Sequence, residues 1–454
     1  MQRREFLTHT LAGATMLPVA ATVGAADAPI GKRNVILYIA DDLGKNDAAC
    51  YGNPYVKTPG IDALAKEGVR FTHAFCTTPS CSPSRSVILT GTHNHTTGQY
   101  GLAHAKHHFV SFDDVKSLPN VLGEAGYRTV NAGKYHTQPE VAYHFQEYIK
   151  TSAPIDMAEQ CRPLIESTAQ SPFFLCFCTT EPHRKFQRDG SDPIAPAGIA
   201  VPPHLPDIPE CKQDLSEYYM SIQRADSGLV RLMEILKAAG RWDDTLIVFV
   251  SDNGMPWPGA KTTLYEPGIN LPCVIRDPRN ERKGYTCDAM FSWVDVAPTI
   301  LDYCGVQPPA KIQGRSAIAA LKEEHPAGWD EVYCSHTFHE VTMYYPMRAV
   351  RTRKHKLIYN IAHPLPFPYA SDLWGSKTWQ ATLERGLTSY GRRTIAAYQN
   401  RSKFELYDLE NDPDEVRNLA GDPQHAELLA ELQQRIRSFQ ERTGDQWLLK
   451  WERE

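Results

Sequence analysis

The sequence predicts an α/β protein, with a sheet buried on both faces and covered by helices, followed by a smaller α+β domain towards the C-terminus. Three observations lead there. Four apolar runs rich in Val, Ile, Leu and Phe lack polar alternation and end abruptly in polar clusters, as strands buried on both faces do. Segments between them, such as 60–68 and 218–239, have helix-like spacing. After about residue 330 the texture changes to alternating runs typical of half-buried strands.

In chain order, Arg3-Arg4-Glu5-Phe6-Leu7 precedes an apolar run over 11–23 and the small residues Gly24, Ala25 and Ala26. This predicts an export signal over 1–28, similar to the twin-arginine type that carries folded cargo across a bacterial membrane, and hence a periplasmic or secreted protein. The run is too short to span a bilayer and is interrupted by Pro18, and no later stretch reaches about 18 uncharged apolar residues. A transmembrane segment is therefore not expected once the signal is removed. A large domain is expected over 29–335 and a smaller one over 336–454.

The first strand, 34–40, stops at Asp41-Asp42. The second, 128–132, runs into Gly133-Lys134-Tyr135-His136; the third, 173–178, is followed by Glu181-Pro182-His183; the fourth, 245–250, meets Ser251-Asp252-Asn253-Gly254. In such sheets the ligand crevice lies beyond the carboxyl ends of the strands, so the four clusters should converge. Further on, 348–360 alternates as one short strand would, 404–409 reads as another, and Asn411-Asp412-Pro413-Asp414 reads as a turn. Leu428, Leu429, Leu432, Ile436 and Phe439 form the apolar stripe of a last helix, expected to pack on the small sheet.

The chain has 454 residues, with 48 Lys and Arg against 53 Asp and Glu and a net charge of −5, so no nucleic-acid partner is expected. At 42% apolar and 22% charged residues it has an ordinary globular composition, which excludes long disorder. Eleven cysteines are too sparse for a disulfide scaffold, and their odd number leaves at least one unpaired. Cys176 and Cys178 share one strand face and are assigned to core packing.

Asp41, Asp42, Asp252 and Asn253 offer hard oxygen ligands at two strand ends, better suited to Ca²⁺ or Mg²⁺ than to Zn²⁺. One Asp pair alone is explained as well by a cap or turn. Two sets after two buried strands favour a cation, because adjacent carboxylates repel unless neutralised. Pro79-Ser80-Cys81-Ser82-Pro83-Ser84-Arg85 leads into helix-like residues 86–90 and puts Cys81 near a helix N-terminus, which favours an anion; a structural or low-pKa cysteine is the plainer alternative. His93, His95, His104, His107 and His108 do not have a common zinc spacing and read as loop or pocket-rim residues.

Cys81-Ser82-Pro83-Ser84-Arg85, followed by Leu89-Thr90-Gly91, resembles the signature of the type I sulfatases. Asp41-Asp42, Gly133-Lys134-Tyr135-His136, Pro182-His183 and Asp252-Asn253-Gly254 match that family in order, from about residue 34 to the C-terminus. The resemblance implies an alkaline-phosphatase-like sulfatase fold, a large mixed sheet covered by helices plus a small C-terminal domain. It also implies that a separate formylglycine-generating enzyme oxidises Cys81 to formylglycine. Asp41, Asp42, Asp252, Asn253 and modified Cys81 would hold Ca²⁺, Arg85 would polarise the aldehyde hydrate, and Lys134 and Lys261 would grip sulfate oxygens. His183 would serve the leaving group, and His136 would help to remove the second hydroxyl proton.

Two other functions compete. Two-metal phosphatases of this fold place histidine where Asn253 stands, which argues against a phosphoester or phosphonate hydrolase. An unmodified Cys81 would leave a non-catalytic glycan-binding or calcium-binding protein. A closer likeness lies in Ser251-Asp252-Asn253-Gly254-Met255-Pro256-Trp257-Pro258, in Thr263-Leu264-Tyr265-Glu266-Pro267-Gly268, and above all in residues 339–348, from His339-Glu340-Val341-Thr342-Met343 to Tyr345-Pro346-Met347-Arg348. These resemble the sulfamidase branch, the N-sulfoglucosamine sulfohydrolases of heparan sulfate breakdown. That branch implies a sulfated glycan substrate, N-sulfated glucosamine or else an O-sulfated sugar, with His339, Glu340 and Arg348 as candidate substrate-binding residues. Lys185-Phe186 stands where the branch has a cysteine, so no disulfide is expected there. A homodimer is left open.

Overall fold

The computed structural model describes residues 33–167, 171–186 and 194–453, and the expected export signal lies outside them. Eight strands build the large sheet: β1 (Asn34–Ala40), β2 (Val69–Phe75), β3 (Arg128–Gly133), β4 (Glu147–Ile149), β5 (Phe173–Cys178), β6 (Thr245–Ser251), β7 (Cys273–Arg276) and β8 (Tyr285–Ser292). Their order is β4-β3-β5-β1-β6-β7-β2-β8. Every pairing is parallel except those of β7, which runs against both β6 and β2, so the sheet is mixed. The four strands legible as apolar runs are the contiguous central ones, and β1, β5 and β6 are buried throughout.

That burial explains the missing alternation. Val35, Leu37 and Ile39 of β1 face one core, with Val87, Ile88 and Leu89 of the helix Cys81–Thr90. Ile36, Tyr38 and Ala40 face the other, with the 30-residue helix Pro209–Ala238. Both faces must therefore be apolar. Tyr38 lies between Phe177 and Phe249, with ring centroids 5.2 Å away on each side, which adds aromatic contact to the burial. The long helix starts earlier than its apolar periodicity indicates, with Pro209 at its first turn, where a missing N–H costs nothing. All eleven cysteines are free thiols; Cys176 and Cys178 point into the same core, as expected.

A second, antiparallel sheet follows the order β14-β11-β10-β9, built from β9 (Glu331–Phe338), β10 (Tyr344–Thr352), β11 (His355–Asn360) and β14 (Phe404–Asp408). Between β11 and β14, β12 (Ser389–Tyr390) and β13 (Arg393–Thr394) form a two-residue ladder. The single strand expected over 348–360 is in fact the end of β10, a reversal at Arg353-Lys354, and β11. The two-residue connection puts Val350 and Leu357 on one face, so the alternation changes phase across it, and no Gly, Pro or Asn marks it. Thr352 closes it through its hydroxyl, which accepts from the His355 amide at 3.0 Å.

The last helix, Ala426–Thr443, buries Leu432 and Ile436 against Val350, Leu357 and Leu406, as its stripe indicates. The boundary expected at 335/336 falls inside β9, and Lys32–Glu454 forms one compact unit. Ser335 of β9 donates its amide to Thr77 O at 2.7 Å, which ties the small sheet to the loop leading into Cys81. Among the described residues no helix is long and apolar enough to cross a membrane.

Candidate active site

Backbone hydrogen bonds join the carboxyl ends of the central strands: Asp41 N to Glu181 O (3.2 Å), Lys134 N to Cys178 O (2.9 Å) and Asp252 N to Ala40 O (3.0 Å). The polar clusters therefore converge as the topology requires. Gly133 has φ +82°, and a Cβ there would lie 2.1 Å from Cys178 O, so only glycine lets β3 pass this point. Asp42, His136 and Thr262 also have positive φ, at 68°, 54° and 69°. Each such residue costs about 1–3 kcal/mol, and strain of this kind gathers where side chains must be aimed.

Cys81 is the first residue of its helix, with Arg85 one turn on. The wholly buried guanidinium donates from Nε to Asp252 Oδ2 at 3.0 Å, and its Nη2 lies 2.9 Å from the same oxygen and 3.6 Å from Asp41 Oδ1. Lys134 Nζ is 2.6 Å from Asp41 Oδ2. Lys261 Nζ, also buried, is 2.9 Å from Asp42 Oδ2 and 3.0 Å from Asp372 Oδ2. The thiol of Cys81 points at two carboxylates, 3.8 Å from Asp41 Oδ1 and 3.9 Å from Asp42 Oδ1.

Ligand atoms of Asp41, Cys81 and Asp252 all lie within 4.8 Å of one another. Asn253 donates from Nδ2 to Asp42 Oδ1 at 2.6 Å, while its buried Oδ1 has no partner. Three buried carboxylates and an orphaned amide oxygen fit a hard divalent cation. Burial, reinforced by Asp41, raises the pKa of Asp252; burial also pushes Asp41 upward, but Lys134 and its neighbours outweigh it and hold Asp41 low. The Cys81 thiol is pushed well up by burial, against the pull of Lys134 and Lys261. That direction runs against the low-pKa alternative.

A cavity of about 680 Å³ opens over Cys81, with Lys134, His136, His183, Lys261, His339 and Glu340 in its wall. His183 Nδ1 donates to Arg184 O, which leaves Nε2 directed at Asp42 Oδ2 (3.7 Å) and Asp372 Oδ2 (3.8 Å). His136 is neutral, because burial together with Lys134 and Arg85 holds its pKa well down, and its Nε2 meets His104 Nδ1. His339 Nδ1 bonds Ser80 Oγ at 2.8 Å, and Glu340 Oε1 accepts from the Ser371 amide at 2.8 Å.

Arg348 is the exception among the expected residues. It is wholly buried away from the cavity, with Nη2 2.8 Å from Asp445 Oδ1 and its Nη1 given to the carbonyls of His336 and Met347. Its place on β10 turns it towards the C-terminal segment rather than the cavity. His93 lies in the loop before the short helix Asn94–Thr97 and His95 within that helix; both are buried and packed against Phe439, and His95 Nε2 pairs with Thr443 Oγ1 at 2.9 Å. His104 and His107 do line the cavity. Asp372 was not legible in the sequence, where Ser371-Asp372 before an apolar pair reads as a helix cap.

The sulfatase family profile matches residues 33–306, and the profile of the N-sulphoglucosamine sulphohydrolase C-terminal region matches 259–364 and 380–442. Human N-sulphoglucosamine sulphohydrolase is 36% identical over 92% of this chain and 91% of its own length. An ulvan-active sulfatase of Formosa agariphila is 29% identical over 91% of this chain and 81% of its own. In fold, a protein solved in complex with its substrate D-glucosamine-2-N,6-O-disulfate is similar with a TM-score of 0.71 at 20% identity, covering 93% of this chain and 100% of the other. The phosphonate monoester hydrolase of Silicibacter pomeroyi reaches the same TM-score at 19% identity, over 92% and 97% of the two chains, so the fold alone does not select sulfate. Sequence does select it: with a family profile spanning most of the large sheet and a relative aligned along nearly its whole length, this chain belongs to the sulfatase family, enzymes that hydrolyse sulfate esters or sulfamates.

Proposed function

We propose that this protein is a formylglycine- and Ca²⁺-dependent sulfatase that removes the N-sulfate of a glucosamine at the end of a heparin- or heparan sulfate-type chain. One observation carries the reading: His339 and Glu340, from the region that matches the N-sulphoglucosamine sulphohydrolase C-terminal profile, share one cavity wall with Cys81 and Lys134. The 36% identity to the human enzyme of that name supports it.

Asp41, Asp42, Asp252 and Asn253 would hold the cation together with an oxygen on residue 81, for which Cys81 Sγ stands in. When bound, Ca²⁺ neutralises these carboxylates and acts as a Lewis acid on the oxygens beside it. Conversion of Cys81 by a formylglycine-generating enzyme supplies a hydrated aldehyde, a nucleophile with its own route for releasing sulfate.

The remaining work belongs to side chains already in place. Arg85, held by Asp252, stabilises negative charge at position 81. Lys134 and Lys261 bind sulfate oxygens and cancel the charge that repels a nucleophile. His136, neutral through burial, accepts a proton from position 81. His183 has only Nε2 to offer; as the S–N bond breaks, its electron pair stays on nitrogen, which takes a proton from that atom.

Release of sulfate from N-sulfoglucosamine, glucosamine 6-sulfate and a galactose sulfate tests the reading. The first is expected to turn over fastest. No release from it, with clear turnover of either other sugar, would sink the N-sulfate assignment while leaving the sulfatase chemistry intact.

A further inference from the structure

We propose that Asp372 is a positioning residue which fixes His183 so that Nε2 meets the leaving group, with Lys261 as the anchor that holds the Asp372 carboxylate in place. The inference rests on the function proposed above, in which His183 serves the departing atom. Asp372 belongs to the short helix Ser371–Trp374 and lines the cavity. It lies within residues 365–379, between the two stretches matched by the C-terminal family profile, so that match assigns it nothing.

The geometry is a closed square of side chains. Lys261 Nζ sits 2.9 Å from Asp42 Oδ2 and 3.0 Å from Asp372 Oδ2, and His183 Nε2 faces the same two oxygens at 3.7 and 3.8 Å. Asp42 belongs to the proposed cation ligands, whereas Asp372 lies outside that set and faces only the cationic side of the cavity. Its own position is over-determined: Oδ1 accepts the Leu373 amide at 2.9 Å, and the preceding Ser371 amide is held by Glu340. With Nδ1 of His183 given to Arg184 O, rotation of the ring about its remaining freedom is limited by the pull of Asp372 on Nε2.

A poor leaving group needs the imidazole in register, whereas a phenolate departs without a proton. Wild type, Asp372→Asn and Asp372→Glu are therefore compared on N-sulfoglucosamine and on 4-nitrophenyl sulfate. Asp372→Asn keeps the shape of the side chain; its kcat on the sugar is expected to fall about 100-fold and its loss on the aryl ester to be at least about tenfold smaller. Asp372→Glu should recover part of the sugar turnover. Equal losses on the two substrates, no loss on the sugar, or a Glu variant no better than the Asn variant would overturn the proposal. Turnover by the wild type tests the substrate reading separately. If the protein acts on an O-sulfated sugar instead, that sugar replaces N-sulfoglucosamine, and the same ratio still decides the role of Asp372, because an alkoxide needs the same proton.

Discussion

Arg348 and Asp445 form an ion pair with no exposed surface on either side chain, the guanidinium meeting both carboxylate oxygens and its Nη2 lying 2.8 Å from Oδ1. A charge stripped of its partner in such a place typically costs about 3–5 kcal/mol. Arg348→Met is expected to lower the unfolding free energy by about 3 kcal/mol, read from urea titrations, with KM for the sugar changed less than about twofold in the folded protein. A large rise in KM with unchanged stability would return Arg348 to the substrate.

The same pair sets an acid limit. Burial pushes the Asp445 carboxyl up, but the Arg348 guanidinium outweighs it and holds the pKa below the usual carboxylate range. A carboxyl depressed in the folded state contributes its stability above the unfolded value of about 3.9 and loses it as pH falls below that. The stability difference between wild type and Asp445→Asn should therefore be constant above about pH 5 and shrink below about pH 4. Urea titrations across pH 3–7 check this, and a difference independent of pH would contradict it.

Three buried carboxylates and the orphaned Asn253 oxygen should make the protein respond to calcium. Added Ca²⁺ at about 100 times its dissociation constant stabilises a specific site by about 2.7 kcal/mol, seen as a rise in melting temperature of chelator-treated protein. Zn²⁺ should not reproduce it, and Asn253→Ala should reduce it. An unchanged melting temperature in calcium, or equal stabilisation by zinc, would refute the ligand set.

Position 81 should carry an aldehyde in active material, visible by mass spectrometry of the peptide containing Pro79-Ser80 and Pro83-Ser84. Cys81→Ala is expected to abolish turnover while changing stability by only about 1 kcal/mol, since little volume is lost. Full activity from protein whose residue 81 is an intact thiol would end the mechanism, because the proposed nucleophile is the aldehyde hydrate.

The amino-acid sequence by itself determined the central strands β1, β3, β5 and β6 and the polar clusters that end them, because a strand covered on both faces is apolar along most of its length, Thr129 and Asn131 of β3 notwithstanding, and its abrupt end then stands out. The residues brought together over Cys81 followed from that, together with the carboxyl-end rule for such sheets. Strands β2 and β8 stayed hidden because polar residues, Arg70, Thr72 and His73 in the first and Thr286 and Asp288 in the second, interrupt them, and four-residue β7 is too short to show a period. The β10–β11 hairpin stayed hidden because no Gly, Pro or Asn marks the reversal at Arg353-Lys354. Only the tertiary structure decided that Arg348 turns inward to Asp445, 97 positions away, and that Asp372 closes on Lys261 across 111. Local patterns record how deeply a residue's own segment is buried, whereas the partner of a charged side chain depends on which distant loop the packed sheets bring within about 3 Å of it.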